Sequence, residues 1–186
     1  MCGLVSGVLE GKTVNLKVLE KDDLPLIGGW INDVEFFGQY FSPMQLSKTE
    51  VEKMFEPGPH ELKSFVIEKK DGTIIGEIGH FYSLHPMWKT LEIGYSIIPS
   101  ERGKGYCTEA AQVMVDYLFL SKDAACIQAT THCENVASQK VLQKVGFKRE
   151  GTMRKRANIR GEWRDITLFS ILREEWKEPR ILTRTT

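Results

Sequence analysis

The chain is short of every feature that would mark a specialised environment. It carries four cysteines, Cys2, Cys107, Cys126 and Cys133, and none form a C-x-x-C pair. That spacing supplies neither a zinc knuckle nor a disulfide framework, and it predicts free thiols in a reducing cytoplasm. His132 and Cys133 are adjacent, so on a strand they point to opposite faces, a poor metal pair, and no metal is expected. Charge of one sign is also missing: 25 Lys and Arg balance 25 Asp and Glu. No long-range field therefore argues for DNA or for an anionic membrane. No apolar run approaches the length of a membrane-spanning helix. The first residues, MCGLVSGVLEGK, lack the basic segment and the apolar stretch of a secretion signal. There is no internal repeat, low-complexity tract or linker. What remains is 186 residues, 41% hydrophobic and 27% charged, which fits a single soluble domain over 1–186.

The most informative stretch is LEIGYSIIPSERGKGYCTEAAQVMVDYLF, from Leu91 to Phe119. Glu92 to Ile98 is an apolar, β-branched and aromatic run closed by Pro99 and Ser100, which predicts a strand. Ser100 to Gly105 is a charged turn with two glycines. From Tyr106 the apolar residues Ala110, Val113, Met114, Tyr117 and Leu118 recur at helical spacing. A strand, a glycine turn and a helix start together expose backbone N–H groups at the positive end of a helix, an anion site. Arg102 and Lys104 add positive charge, and a phosphate is the natural guest. A P-loop would need G-x-x-x-x-G-K-[ST], which is missing. The dinucleotide fingerprint would need glycine or alanine at Thr108.

The rest of the chain alternates strand and helix signals. Val14 to Leu19 predicts a first strand. Asp22 or Asp23 caps a helix to about Asn32 that Gly28-Gly29 is expected to break. Ser47 with Glu50 forms a capping box for a short helix ending near Glu56-Pro57-Gly58. Ser64 to Lys69, Asp71-Gly72 and Thr73 to Phe81 read as a hairpin, with a bulge or close packing at Gly76 and Gly79. Ala125 to Thr131 is a further strand. Glu134 or Asn135 caps a helix to Val145 that stops at Gly146. Phe147 to Lys155 and Trp163 to Leu172 close the fold around an Asn158–Gly161 turn.

Two motifs in order give a resemblance. Ser100-Glu101-Arg102-Gly103-Lys104-Gly105 resembles the acyl-CoA loop [QR]-x-x-G-x-[GA] of the Gcn5-related N-acetyltransferase (GNAT) superfamily, with Ser100 in the usual Gln or Arg place. EIGYSI before RGKGYCTEA, then Asn135-Val136-Ala137-Ser138, Val145-Gly146-Phe147 and Glu150-Gly151, resemble the RimJ/RimL branch. The likeness covers about 14–173. It implies an α+β fold with a mostly antiparallel sheet of six or seven strands, about four helices, and splayed fourth and fifth strands.

The resemblance also implies chemistry. The function would be transfer of acetyl from acetyl-CoA to a primary amine by direct attack in a ternary complex. The acceptor would be a protein α-amine or a small amine, and a homodimer is expected. A non-catalytic acyl-CoA sensor and a transferase for a longer acyl group are the alternatives. Pantetheine would pair with the backbone of Ser96, Ile97 and Ile98. The pyrophosphate would meet the amides of Arg102, Gly103, Lys104, Gly105, Tyr106 and Cys107. Asn135 would reach the cofactor, act as an N-cap, or do both. An amine must lose a proton before attack, so a base is needed. Glu92, which opens the fourth strand, is the candidate; pairing with a cation on the sheet is its structural alternative. Glu109 and Glu150 rank behind it. The tyrosine acid that many family members place seven residues after the helix asparagine is Leu142 here. Ser138 would donate to the leaving thiolate, or bond its own helix backbone. Cys107 and Cys133 need no catalytic role. Tyr40, His80, His85 and Trp88, with Phe37, lie in segments that flank the acceptor cleft in this fold, where they bind acceptor or pack as a lid. Arg154, Lys155, Arg156 and Arg160 form a basic cluster, read as a solvated face or a contact for an acidic partner. The tail from Trp176 docks or frays.

Overall fold

The computed structural model describes residues 7–56, 62–83 and 90–181. Eight strands make one sheet: β1 (Val8–Glu10), β2 (Val14–Val18), β3 (Lys63–Lys69), β4 (Ile74–Tyr82), β5 (Leu91–Ile97), β6 (Cys126–His132), β7 (Lys148–Ile159) and β8 (Glu162–Leu172). Their order is β1-β2-β3-β4-β5-β6-β8-β7. Every neighbouring pair is antiparallel except β5–β6, which is parallel. Five α-helices accompany them: α1 (Leu24–Ile31), α2 (Val34–Phe37), α3 (Lys48–Met54), α4 (Tyr106–Ser121) and α5 (Val136–Val145).

The α+β class and the mostly antiparallel sheet agree with the sequence reading. The strand and helix counts do not. Val8–Glu10 folds back on β2 through a tight turn in which the Gly11 N–H donates to the Val14 carbonyl at 2.9 Å. Three residues carry no readable period, so the sequence missed this strand, and the parallel pair becomes the fifth and sixth. Gly28-Gly29 does not break α1, which runs unbroken to Ile31. Packing explains this: Ile27 and Ile31 are buried against Val66 of β3, and burial outweighs the glycine penalty of about 1 kcal/mol each. The capping box is present, with the Ser47 side chain accepting from the Glu50 amide and Glu50 accepting from the Ser47 amide. The ladder slips beside Gly76, between Ile67 and Glu68. A Cβ on Gly76 would lie 2.3 Å from the Ser96 carbonyl oxygen, which is why this position tolerates no side chain.

The sheet has two faces with different coverings. Leu91, Ile93 and Ile97 of β5 join Val113, Met114 and Leu118 of α4 and Leu142 of α5 in the main core. The opposite face, over β2 to β4, carries α1 and the aromatic segment after it, where Trp30 stacks on Phe36 with centroids 5.2 Å apart. Alternation along β5 therefore sends Leu91, Ile93, Tyr95 and Ile97 toward α4 and α5, and Glu92, Gly94 and Ser96 to the other side.

The C-terminal segment docks on the domain. Asp116 of α4 is buried, and its carboxylate accepts from Trp176 Nε1 and from the backbone amides of Arg180 and Ile181. Arg180 also donates to the Val145 carbonyl at the end of α5, where a cation complements the helix dipole.

Candidate active site

The parallel pair β5–β6 is bridged only at Leu91↔Ile127 and Glu92↔Gln128. Beyond Glu92 the two strands part and leave a fork. Hydrogen-bond parity decides which backbone groups line it. The Ile98 amide donates to the Ile75 carbonyl, and the Ser83 amide to the Thr90 carbonyl. With the register Gly76↔Ile97 and Glu77↔Ser96, the backbone groups of Glu92, Gly94, Ser96 and Ile98 face β4. Those of Ile93, Tyr95 and Ile97 face the fork. This corrects the pantetheine assignment. The Ser96 backbone faces β4, the Ile98 amide donates to Ile75 and the Ile98 carbonyl accepts from the Glu101 amide, so the open edge belongs to Ile93, Tyr95 and the Ile97 amide. The Ile97 carbonyl is taken by Arg102 Nε at 3.2 Å.

The glycine turn closes the open end of the fork. Gly103 and Gly105 have φ of 78° and 91°, a region that favours glycine. Gly105 is the N-cap of α4. The amides of Gly103, Lys104, Gly105, Tyr106 and Cys107 make no hydrogen bond among the described residues, whereas the next two, of Thr108 and Glu109, donate to the Gly105 carbonyl. A Cβ on either glycine would meet nothing within 4 Å, so open space lies over these donors. Five free N–H groups at a helix N-terminus fit a pyrophosphate.

Arg102 is a correction. Its amide donates to the Pro99 carbonyl, and its guanidinium donates to the Ile97, Phe36 and Glu35 carbonyls, tying β5 to α2. It organises the loop and does not offer an amide to the phosphate. Lys104 is half exposed and pairs with Glu101 at 3.0 Å.

Glu92 and Ser138 stand on opposite sides of the fork. Glu92 is at the last paired position, and the Thr130 hydroxyl of β6 donates to its Oε1 at 2.8 Å. One carboxylate oxygen is thereby oriented and the other left available. Ser138 lies in the first turn of α5. Its amide donates to Asn135 Oδ1 at 3.1 Å, so the N-cap role of Asn135 is observed. Its hydroxyl lies 3.1 Å from the Tyr95 hydroxyl, which reaches across the fork from β5. Burial pushes Tyr95 well above the ordinary phenol range. Burial likewise pushes the Cys107 thiol up to about 12, against the opposing pull of Arg102, so this cysteine stays protonated and unsuited to covalent catalysis.

The acceptor residues separate. Tyr40 sits at the fork, where its hydroxyl donates to the Glu134 carbonyl at 3.0 Å and its ring lies 5.0 Å from that of His132. The Glu134 amide donates to His132 Nδ1. His80 does not sit there. It is 1% exposed on the α4 face, beside Tyr117, with neither ring nitrogen bonded. Register dictates this, because His80 pairs with Ile93 of the core face. Its side chain therefore cannot meet an acceptor on the Glu92 face. His85 and Trp88 lie outside the described residues.

Sequence reasoning also missed three parts of the site. Tyr95 read as one more apolar strand residue. Glu77 of β4 lies on the Glu92 face, where burial raises its carboxyl to about 7. Between the two, Gly79 pairs with Gly94; space is open over Gly94, while Gly79 lies against the Ser64 and Leu62 side chains. Arg160, counted among solvated cations, instead latches the β7–β8 hairpin to the loop after α2. It donates to the Gly38 and Phe41 carbonyls, and its amide donates to the Ser42 hydroxyl. Glu109, ranked behind Glu92 as a base, accepts from the amide and hydroxyl of Thr13, just before β2, and from the Val14 amide that opens it.

Residues 13–148 match the acetyltransferase (GNAT) domain family. The chain belongs to the GNAT family. Its acyl donor is acetyl-CoA, and the fork and the amide row are the features of this GNAT domain that suit it. The probable N-acetyltransferase YjcK of Bacillus subtilis is 30% identical over 176 residues, spanning 89% of this chain and 97% of that protein. Mycobacterium smegmatis RimJ in complex with CoA-disulfide superposes with a TM-score of 0.78 at 25% identity, covering 94% and 90% of the two chains. Vibrio cholerae spermidine N-acetyltransferase in complex with CoA and spermine superposes at 0.76 with 22% identity, covering 88% and 98%. Among the described residues, no helix of this GNAT chain is long and apolar enough to cross a membrane.

Proposed function

We propose that this acetyltransferase acetylates a small cationic amine by direct attack in a ternary complex, with Glu92 as general base. The observation that carries it is the placement of Glu92 at the crotch of a fork whose other end holds five free amides. Phosphates anchored on Gly103 to Cys107 leave the pantetheine arm to run down the open edge of Ile93, Tyr95 and Ile97. The thioester then arrives beside Glu92. The free Glu92 oxygen takes the ammonium proton and passes it to solvent, the neutral nitrogen attacks the carbonyl carbon, Glu92 takes the second nitrogen proton once the N–C bond has formed, and a fork-facing N–H of β5 stabilises the oxyanion. Collapse breaks the C–S bond and leaves the electron pair on sulfur.

The preference for a small cation rests on a trough. Gly94 is its open floor, with Glu92 at one end and, beside Ser96, Glu77 at the other. Four residues of strand separate the ends, roughly 13 Å. A second ammonium at Glu77 suits an extended polyamine-like acceptor, the class that the Vibrio cholerae relative holds as spermine. A protein α-amine, the acceptor implied by the RimJ/RimL likeness, is the second reading. Acetyl is favoured over a longer charged acyl group because the Arg102 guanidinium is engaged by three carbonyls.

The test is thiol release from acetyl-CoA with polyamines, aminoglycosides, amino acids and N-terminal peptides. Wild type and Glu92→Gln are compared, with acetyl-CoA binding measured for both. Turnover on polyamines, lost in Glu92→Gln while binding persists, supports the reading. Turnover confined to peptides overturns the acceptor, and unchanged Glu92→Gln activity removes the base.

A further inference from the structure

We infer that Tyr95 is a positioning residue for the leaving group, acting through Ser138 across the fork. This rests on the acetyl-transfer reading above. Ser138 is held from two directions. Its amide is fixed by Asn135 Oδ1, and its hydroxyl lies 3.1 Å from the Tyr95 hydroxyl. The Tyr95 hydroxyl also lies 3.3 Å from the Ser138 carbonyl. The carbonyl can only accept and the serine hydroxyl can accept or donate, so the phenol proton finds both of its acceptors on Ser138. That carbonyl is already used inside α5 by the helix ladder, which makes the hydroxyl the better acceptor. With Tyr95 donating to Ser138 Oγ, the serine proton turns outward into the fork.

The surroundings keep the pair in that state. Tyr95 lies on the core side of β5, where desolvation holds its proton, and the neighbouring Cys107 thiol adds to the same push. The backbone N–H and C=O of Tyr95 face the fork, so the residue that lines the pantetheine path also carries the phenol. Leu142, at the place where a helix tyrosine would stand, is 1% exposed in the main core and offers no hydroxyl.

The chemistry is hydrogen-bond donation, not full proton transfer. When the C–S bond breaks, the thiolate is a weaker base than a serine alkoxide, so the Ser138 proton stays on oxygen while its O–H stabilises the sulfur. The two protons lost by the nitrogen, one before attack and one after the N–C bond forms, go in turn to Glu92 and then to solvent, and the thiolate is protonated from solvent after it leaves. A donor polarised by a second hydroxyl is a stronger donor than a lone serine.

The experiment compares Tyr95→Phe, Ser138→Ala and the double variant. Measurements are kcat with saturating amine, acetyl-CoA affinity, thermal unfolding, and activity with the selenoester analogue of acetyl-CoA. A selenolate is a much weaker base and needs less stabilisation. Expected are a loss in kcat of about tenfold for Tyr95→Phe, the worth of one hydrogen bond, unchanged acetyl-CoA affinity, no further loss when it is added to Ser138→Ala, and near-complete recovery with the selenoester. A Tyr95→Phe enzyme with wild-type kcat overturns the inference. So does a loss that persists undiminished in the Ser138→Ala background or with the selenoester, because a packing role would give that result. Failure of the wild type to turn over any amine would strike the proposed function instead, leaving a distinct signature.

Discussion

The indole N–H of Trp176 donates to Asp116 Oδ1 at 2.8 Å, while Asp116 Oδ2 accepts the amides of Arg180 and Ile181 at 3.0 and 2.9 Å. One buried carboxylate on α4 thus gathers a C-terminal segment that has no regular secondary structure of its own. Trp176 packs on Phe119 with centroids 5.3 Å apart, so the anchor is both polar and apolar.

Asp116→Ala should therefore release the segment. Three donors lose their acceptor, and each buried unsatisfied donor costs about 1–3 kcal/mol. The expected outcome is a fall in stability of at least about 3 kcal/mol, with new proteolytic cleavage after Arg173. Thermal unfolding and limited proteolysis check it. An unchanged melting temperature would show that the segment contributes nothing to the domain.

Stability against pH should show two opposing slopes. Folding raises the Glu77 carboxyl from 4.5 to about 7, chiefly by burial. Its contribution is fully present below pH 4.5 and is lost as pH rises through about 7. Folding lowers His80 from 6.5 to about 4, by burial and by the charges of Lys122 and Lys63. Its contribution is fully present above pH 6.5 and is lost as pH falls through about 4. Each amounts to at most about 3 kcal/mol. Wild-type stability should be nearly flat between pH 4.5 and 6.5. Glu77→Gln should make stability rise with pH in that window, and His80→Phe should make it fall. Denaturant titrations at several pH values would reveal both, and identical profiles for all three proteins would refute the pair.

Gly105→Ala places a side chain at a φ of 91°. The cost of a left-handed conformation is about 1–2 kcal/mol per residue. Because the turn sits at the N-terminus of α4 and outside the core, the strain should tilt the free amides and leave the fold intact. Acetyl-CoA affinity should fall about tenfold, read by calorimetry, with amine KM unchanged at saturating acetyl-CoA.

Arg160→Ala removes the hydrogen bonds to the Gly38 and Phe41 carbonyls. The hairpin tip and the loop after α2 then lose their tie on the acceptor side. The amine KM should rise severalfold while acetyl-CoA affinity holds. Equal losses in both would show that the latch serves the whole fold.

Thr130→Val leaves the Glu92 carboxylate without the donor that orients Oε1. A several-fold drop in kcat is expected, smaller than the drop of roughly 10²–10⁴ from losing a general base in Glu92→Gln. Comparison of the two variants at saturating amine separates orientation from proton transfer.

The sequence by itself determined what depends on neighbours along the chain. Gly103 and Gly105 before a helical period, the Ser47–Glu50 capping box and the Asn135 cap each act over three or four residues, and such local geometry is written in residue type. The apolar, β-branched and aromatic run from Glu92 to Ile98, closed by Pro99 and Ser100, likewise announced a strand. Only the tertiary structure decided what depends on pairing. The parity of the β4–β5 ladder, not the identity of Ser96 or Ile98, chose which backbone groups open on the fork. The same register turned His80 into the core and left Glu77 on the Glu92 face, because a one-residue change of register moves a side chain to the other side of a sheet. Tyr95 and Ser138, Arg160 and the loop at Gly38, and Asp116 and Trp176 lie 43, 122 and 60 residues apart in sequence. No local pattern links such partners. They meet because the sheet order and the packing of α4 and α5 bring them together.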